Sequence, residues 1–326
     1  MNCPLSARLP LVAAPGVPRV DGASRRLRQA LIRAAACLAA LALLGSPTFS
    51  ASGKNEPGAE PRKERDRTLP HAVQPAGQPS GPSAKTGNHP LDPALAIARE
   101  GLERIRQNVR DYTATLIKRE LINGRLSDYQ YSFVKIRHRR IENGQVVVPF
   151  SVYLKFLKPR SVAGREVIWV EGRNGGKLLA HEGGLKNLLR FQLDPHGFVA
   201  MLGNRYPITE IGFLNLIEQL LHRGERERLH GECEVLFHND ARVDSRPCTM
   251  IEVVHPHRRP HFDFHMARIF IDQELNIPVQ YAAWSWPERP GGPPVLLEEY
   301  TYRDVRLNVG LTDRDFDPDH PEYRFP

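Results

Sequence analysis

The sequence has no Gly-x-Ser-x-Gly elbow, no phosphate-cradling glycine loop ending in Lys-Ser/Thr, and no His-Glu-x-x-His pair. The familiar hydrolase, nucleotide-binding and zinc-protease readings therefore have nothing to rest on. Charge is also missing where nucleic acid would need it. The formal net charge is +8, but residues 1–90 hold 12 Lys/Arg against 5 Asp/Glu, while residues 91–326 hold 33 against 32. A near-neutral folded part with both signs interspersed offers no phosphate footprint, so no nucleic-acid partner is expected. Long apolar runs are absent too: residues 34–44 make about 11, where a membrane-spanning helix takes ~20. Cysteine is scarce, with four in 326 residues.

The short apolar run has the flanks of an export signal. Arg25, Arg26, Arg28 and Arg33 precede it, and Gly45, Ser46, Ser50, Ala51 and Ser52 follow. Residues 1–52 are therefore read as a signal peptide, with an uncleaved anchor as the alternative. The protein is expected to be exported, to the periplasm or cell envelope of a bacterium. Residues 53–90 are rich in Pro, Gly, Ser, Lys and Arg and nearly devoid of large apolar side chains. Such a stretch cannot bury enough surface to offset its ordering entropy, so it reads as a disordered, extended linker. Cys3 and Cys37 fall in the removable segment. Cys233 and Cys248 remain, flanking a turn, and in an oxidising compartment they predict one disulfide; two buried thiols are the alternative.

The folded part opens with a helix. Asp92 is a candidate cap, Pro93 suits the first helical position, and Leu91, Leu95, Ala98, Leu102, Ile105 and Val109 form one stripe. From Tyr112 the period falls to two. Strands over 112–121 and 131–139 flank the hairpin signal Asn123-Gly124, and others follow at 150–157, 167–170 and 178–181. Lys135, Arg137 and Arg139 alternate, which predicts a solvated strand face, or else a patch for an acidic partner. Residues 192–206 show no assignable pattern. Ile211, Leu214, Ile217 and Leu221 predict a second helix, capped at Thr209 and stopped by Gly224. A hairpin carrying both cysteines comes next, then three strands near 267–271, 279–286 and 295–307 joined by turn-rich links.

No helix separates these strands, so the sheet should be antiparallel. The sum is one α+β domain over residues 91–326: a curved antiparallel sheet with a few helices against one face. The last strands are apolar on both sides, Val279 and Tyr281 on one and Trp284 and Trp286 on the other, which leaves a surface for something apolar to cover.

The one dense polar constellation is HPHRRPHFDFH, holding His255, His257, His261 and His265. His261, Asp263 and His265 share a strand face and could meet a zinc ion, but Pro256 and Pro260 break the strand and Arg258 and Arg259 repel a cation. No metal ligand and no cofactor is assigned. Glu298-Glu299 point to opposite faces if they lie on a strand, and Asp313, Asp315, Asp317 and Asp319 read as turn formers rather than acid–base groups.

Three segments, FLKPRSVAGREVIWVEGRNGGKLLAH, ARIFIDQELNIPVQYAAWSWP and LLEEYTYRDVRLNVGLTDRDFD, resemble the bacterial domain-of-unknown-function family 1571. More distantly the strand order resembles the lipoprotein-localisation superfamily, LolA/LolB-like. The resemblance implies a half-open β-barrel closed by helices, an apolar cavity that takes acyl chains, and export. Joined to the two-sided apolar pattern, it nominates Leu154, Phe156, Trp169, Tyr281 and Tyr300 as cavity lining. The expected function is a non-enzymatic envelope protein that binds a lipid, lipoprotein or other apolar ligand, with transient membrane contact. A structural or protein-interaction module with a filled core is the alternative. A metal-assisted hydrolase using the His-rich loop is a weaker third.

Overall fold

A computed structural model describes residues 89–184 and 187–326, so the expected signal peptide and nearly all of the expected linker lie outside the described residues. The first stripe becomes helix α1 (Asp92–Asn108), buried at Leu95, Leu102 and Ile105. Asp92 is its first residue rather than its cap, and its carboxylate accepts the His89 N–H at 3.0 Å. Pro93 still falls in the first turn, where a missing N–H goes unnoticed.

Nine strands follow: β1 (Asp111–Ile122), β2 (Arg125–Leu126), β3 (Gln130–Arg137), β4 (Arg140–Glu142), β5 (Gln145–Val148), β6 (Ser151–Lys158), β7 (Glu166–Val170), β8 (Leu178–His181) and β9 (Arg190–Leu193). Asn123-Gly124 and Asn143-Gly144 turn the chain with φ of 51° and 77°, and 49° and 76°, as Asn-Gly hairpin turns require. The short helix α2 (Phe198–Met201) and the long helix α3 (Phe213–Glu227) come next. The chain then returns through β10 (Glu234–Val243), β11 (Arg246–Val254), β12 (Met266–Asp272), β13 (Pro278–Ser285) and β14 (Val295–Leu307). Among the described residues no helix is long and apolar enough to cross a membrane.

The strands form one antiparallel sheet in the order β10-β11-β12-β13-β14-β1-β3-β6-β7-β8-β9, with β2 attached to β1 and β4-β5 a separate hairpin. β9 and β10 are its two edges and do not pair, so the curved sheet stays open. The expected α+β class, with helices against an antiparallel sheet, is what the chain adopts. Leu91 and Leu95 of the α1 region and Leu216, Leu220 and Leu221 of α3 pack with Ile251, Val253 and Tyr281, which places both helices on one face. On the opposite face, Tyr153, Ile168 and Val170 are covered by Leu311, Phe316, Tyr323 and Phe325 of the C-terminal segment.

That return of the C-terminus corrects one expectation. Lys135 and Arg137 are buried, not solvated, because the segment brings Asp315 to 2.9 Å from Lys135 and Asp313 to 2.7 Å from Arg137. A second correction concerns α3. It starts after Gly212 rather than Thr209 and runs through Gly224 to Glu227. Gly224 is buried against α1, where a Cβ would stand 2.7 Å from Leu95 Cδ2, so it permits close helix packing and stops nothing. The third concerns the cysteines, both of which are free thiols. Ala241 faces Cys248 near the turn, whereas Cys233 precedes Glu234, the partner of Val254 at the far end of the hairpin. Eight residues of strand separate the two levels, roughly 25 Å by strand rise, far beyond disulfide reach. The turn at residues 244–245 lies close to Cys248 but eleven residues past Cys233, so the hairpin sets the two cysteines at opposite ends.

Candidate functional site

Directly paired residues of antiparallel strands share a face. Tyr281 pairs with Tyr300, Tyr300 with Lys118, and Lys118 with Gln130. Ser132 pairs with Phe156, Val134 with Leu154, and Val152 with Trp169. Leu154, Phe156, Trp169, Tyr281 and Tyr300 therefore all lie on the helix-bearing face.

On that face they divide into two groups. Tyr281 is beneath the helices, 3% exposed, and its hydroxyl accepts a hydrogen bond from Arg223 of α3 at 3.2 Å. Tyr300 lies nearly parallel to it and donates to Glu120. Burial drives both phenols well up, so they stay protonated and act as neutral hydrogen-bonding groups. Leu154, Phe156 and Trp169 are only half-buried, on β6 and β7. Their strip continues across β8 to the edge, because Leu154 pairs with Val167, Val167 with Ala180 and Ala180 with Phe191. Phe191 and Leu193 are half-buried too, and Phe150 stands edge-on to Trp169 at 5.8 Å. Sequence periodicity did not nominate Phe191 or Leu193, since the four-residue strand β9 is too short to show a period.

On either side of β9 in sequence the chain leaves five large apolar side chains in solvent: Leu188, Leu189, Phe198, Val199 and Leu202, from 56% to 78% exposed. So many on one short stretch make it a candidate contact surface.

A buried polar seam fastens that stretch to the sheet. Lys118 Nζ donates to Asn204 Oδ1 at 2.7 Å and to Glu120 Oε2 at 2.9 Å. Arg205 Nε lies 2.9 Å from Glu298 Oε2, and Tyr206 donates to Glu298 Oε1 at 3.1 Å. Glu120 and Glu298 are register partners on β1 and β14, 3% and 2% exposed. Burial raises the Glu298 carboxyl against the opposing pull of Arg205. Ion pairs and hydrogen bonds link these groups to one another, and none of them places an activated nucleophile beside a base. Glu299 points to the other face, where it meets Gln280 and Tyr129, as adjacent strand residues must.

The His-rich loop does not converge on a metal. His255 is fully buried, its Nδ1 3.1 Å from the Phe264 carbonyl oxygen and its Nε2 3.5 Å from Glu227 Oε2. His261 stacks on His230 at 3.7 Å, His265 Nδ1 meets the His255 carbonyl at 2.9 Å, and His257 is exposed. Among the described residues no three His, Cys, Asp or Glu side chains gather as a metal-holding group.

The family model for a protein of unknown function, DUF1571, matches residues 109–325. No curated protein gives a significant match. Similar solved structures include a DUF1329 family protein from Desulfovibrio piger, 11% identical with a TM-score of 0.35, covering 71% of this chain and 98% of that one. An outer membrane lipoprotein-sorting protein domain from Vibrio parahaemolyticus is 13% identical with a TM-score of 0.33, covering 68% and 95%. A LolA superfamily protein from Nitrosomonas europaea is 12% identical with a TM-score of 0.28, covering 70% and 98%. With a family match over most of its length, this chain belongs to the DUF1571 family of proteins of unknown function.

Proposed function

We propose that this chain is an exported, non-enzymatic protein of the bacterial envelope that binds an acyl-chain ligand, a lipid or the lipid moiety of a lipoprotein. The ligand lies along Leu154, Phe156, Trp169, Phe191 and Leu193. The single observation that carries the reading is that these apolar side chains share one sheet face yet remain half-buried. Apolar surface left to water costs ~25 cal/mol per Å², which an acyl chain laid along the strip would recover. The exposed Leu188, Leu189, Phe198, Val199 and Leu202 on either side of β9 in sequence supply the contact with a membrane or an incoming lipoprotein.

The alternative, a structural module, draws on Tyr281 and Tyr300, whose part of the face is filled by the protein's own side chains. A fluorescent fatty-acyl probe separates the two. Leu154→Arg should weaken probe binding at least tenfold with unchanged circular dichroism. Leu157→Arg, at an exposed position on the opposite side of β6, should leave binding as it is. No probe binding by the wild type would leave the structural module standing, and equal binding by both variants would remove the ligand from this strip.

A further inference from the structure

The sheet face opposite the helices carries a cavity of about 230 Å³, lined by Lys155, Glu166, His181, Asn187, Arg324 and three glycines. The glycine wall exists because two loops touch: a Cβ on Gly183 would fall 2.2 Å from the Ala163 carbonyl oxygen. Glu166 and His181 are register partners on β7 and β8, so their side chains leave the sheet together. They are 0% and 1% exposed.

His181 Nδ1 lies 2.7 Å from the Glu182 carbonyl oxygen. A carbonyl only accepts, so Nδ1 donates here, and in the neutral imidazole Nε2 is the nitrogen that presents a lone pair. Nε2 faces Glu166 Oε2 at 3.4 Å and makes no hydrogen bond to it. Asn187 adds another acceptor to the same cavity. Its amide nitrogen donates to the Arg324 carbonyl at 2.6 Å, which turns Oδ1 the other way. Glu166 Oε1, His181 Nε2 and Asn187 Oδ1 are all buried without a hydrogen-bond partner. A buried acceptor left unmet is costly, and a cluster of them calls for a positive species.

The geometry points to a divalent transition-metal cation held by His181 Nε2, Glu166 and Asn187 Oδ1, with water completing its coordination. Two ligands of a tetrahedral cation bound at about 2.0–2.1 Å stand roughly 3.3 Å apart. The His181–Glu166 separation of 3.4 Å already has that span. Outer hydrogen bonds that orient metal ligands are also in place: His181 Nδ1–H on the Glu182 carbonyl, and the Arg324 N–H on Glu166 Oε2 at 3.1 Å. One imidazole with two oxygen donors suits zinc, cobalt or nickel better than calcium or magnesium. Lys155 Nζ stands 3.4 Å from Glu166 Oε1 as a close charge, but its side chain is 35% exposed. Its flexible stem lets the head move to solvent when a cation neutralises the carboxylate. Because Arg324 is bonded through both its N–H and its carbonyl to this site, the cation would also clamp the C-terminal segment.

The test is zinc titration of chelator-treated full-length protein by calorimetry. Wild type and His257→Ala should each take up one equivalent; His181→Ala and Asn187→Ala should bind at least tenfold more weakly. Nitrogen-15 spectra of the wild type should show the His181 Nε2 resonance shift on zinc addition, a readout that survives if His181→Ala fails to fold. Zinc should also protect the amides of residues 323–325 from hydrogen exchange. Absence of uptake by the wild type, uptake undiminished in both cavity variants, or an unmoved His181 resonance under saturating zinc would overturn the site.

Discussion

Glu227 and His255 face each other at 3.5 Å with almost no contact with water, and burial inverts their usual order of titration. It pushes the Glu227 carboxyl up to about 7 from 4.5 and the His255 imidazole down to about 4 from 6.5. Between those values both side chains are uncharged, where an exposed Glu and His would form an ion pair.

Opposed pH dependences should follow. Folded Glu227 holds a proton that the unfolded chain has lost between about pH 4.5 and 7, so its contribution falls as pH rises through that window. His255 binds fewer protons folded than unfolded between about pH 4 and 6.5, so its contribution falls as pH drops. Each is worth on the order of 3 kcal/mol across its window, and over their overlap they largely cancel. Urea unfolding from pH 4.5 to 6.5 should therefore show a falling stability in His255→Asn and a rising one in Glu227→Gln. Profiles of the same slope in the two variants would refute the inversion.

Both thiols should be found reduced. In Cys3→Ser/Cys37→Ser protein, unreduced and denatured, a maleimide reagent should label two cysteines. In the native state Cys248 should resist, being fully buried with its thiol pushed up to about 11 by desolvation. A count of zero after denaturation would restore the bridge.

Gly212→Ala should destabilise the fold by about 3 kcal/mol. Gly212 has φ +109°, a conformation nearly closed to other residues, and an added Cβ would stand 2.9 Å from the Tyr112 hydroxyl oxygen. That hydroxyl accepts the Phe213 N–H at 3.2 Å and so tethers the start of α3 to β1. A loss under 1 kcal/mol in denaturant unfolding would show that the helix start can shift.

Glu298→Ala should free the stretch that carries Phe198, Val199 and Leu202. It leaves Arg205 and Tyr206 without their carboxylate, at a cost of about 2 kcal/mol, and hydrogen exchange should accelerate across residues 198–206. Unchanged exchange there would mean that packing, not the seam, holds the stretch.

How much of this could be read in the residues varies with distance along the chain. The α1 stripe, the Asn-Gly turns and the meander of β12 to β14 are local patterns, and local patterns set period and turn geometry. The common face of Leu154, Phe156, Trp169, Tyr281 and Tyr300 follows from the same alternation. Lys135 and Arg137 looked solvated because their partners, Asp315 and Asp313, lie far downstream in a segment with no period. Gly224 looked like a stop because its reason, Leu95, is on another helix. Glu166 and His181 drew no notice in sequence; only the pairing of β7 with β8 sets them side by side.

The sheet order has a consequence for how the chain is made. β9 and β10 are neighbours in sequence yet form opposite edges, while the seam at the middle joins β1 to β14, with Tyr112 opposite Leu307. Each half can assemble as it emerges, but the central pairing waits for β14, the last strand among the described residues. Such a high contact order slows folding, and until β14 arrives β1 presents a bare edge open to mispairing. A nascent chain of this design favours delayed folding, and an escort that shields β1 until β14 closes over it would act at the most vulnerable point of assembly.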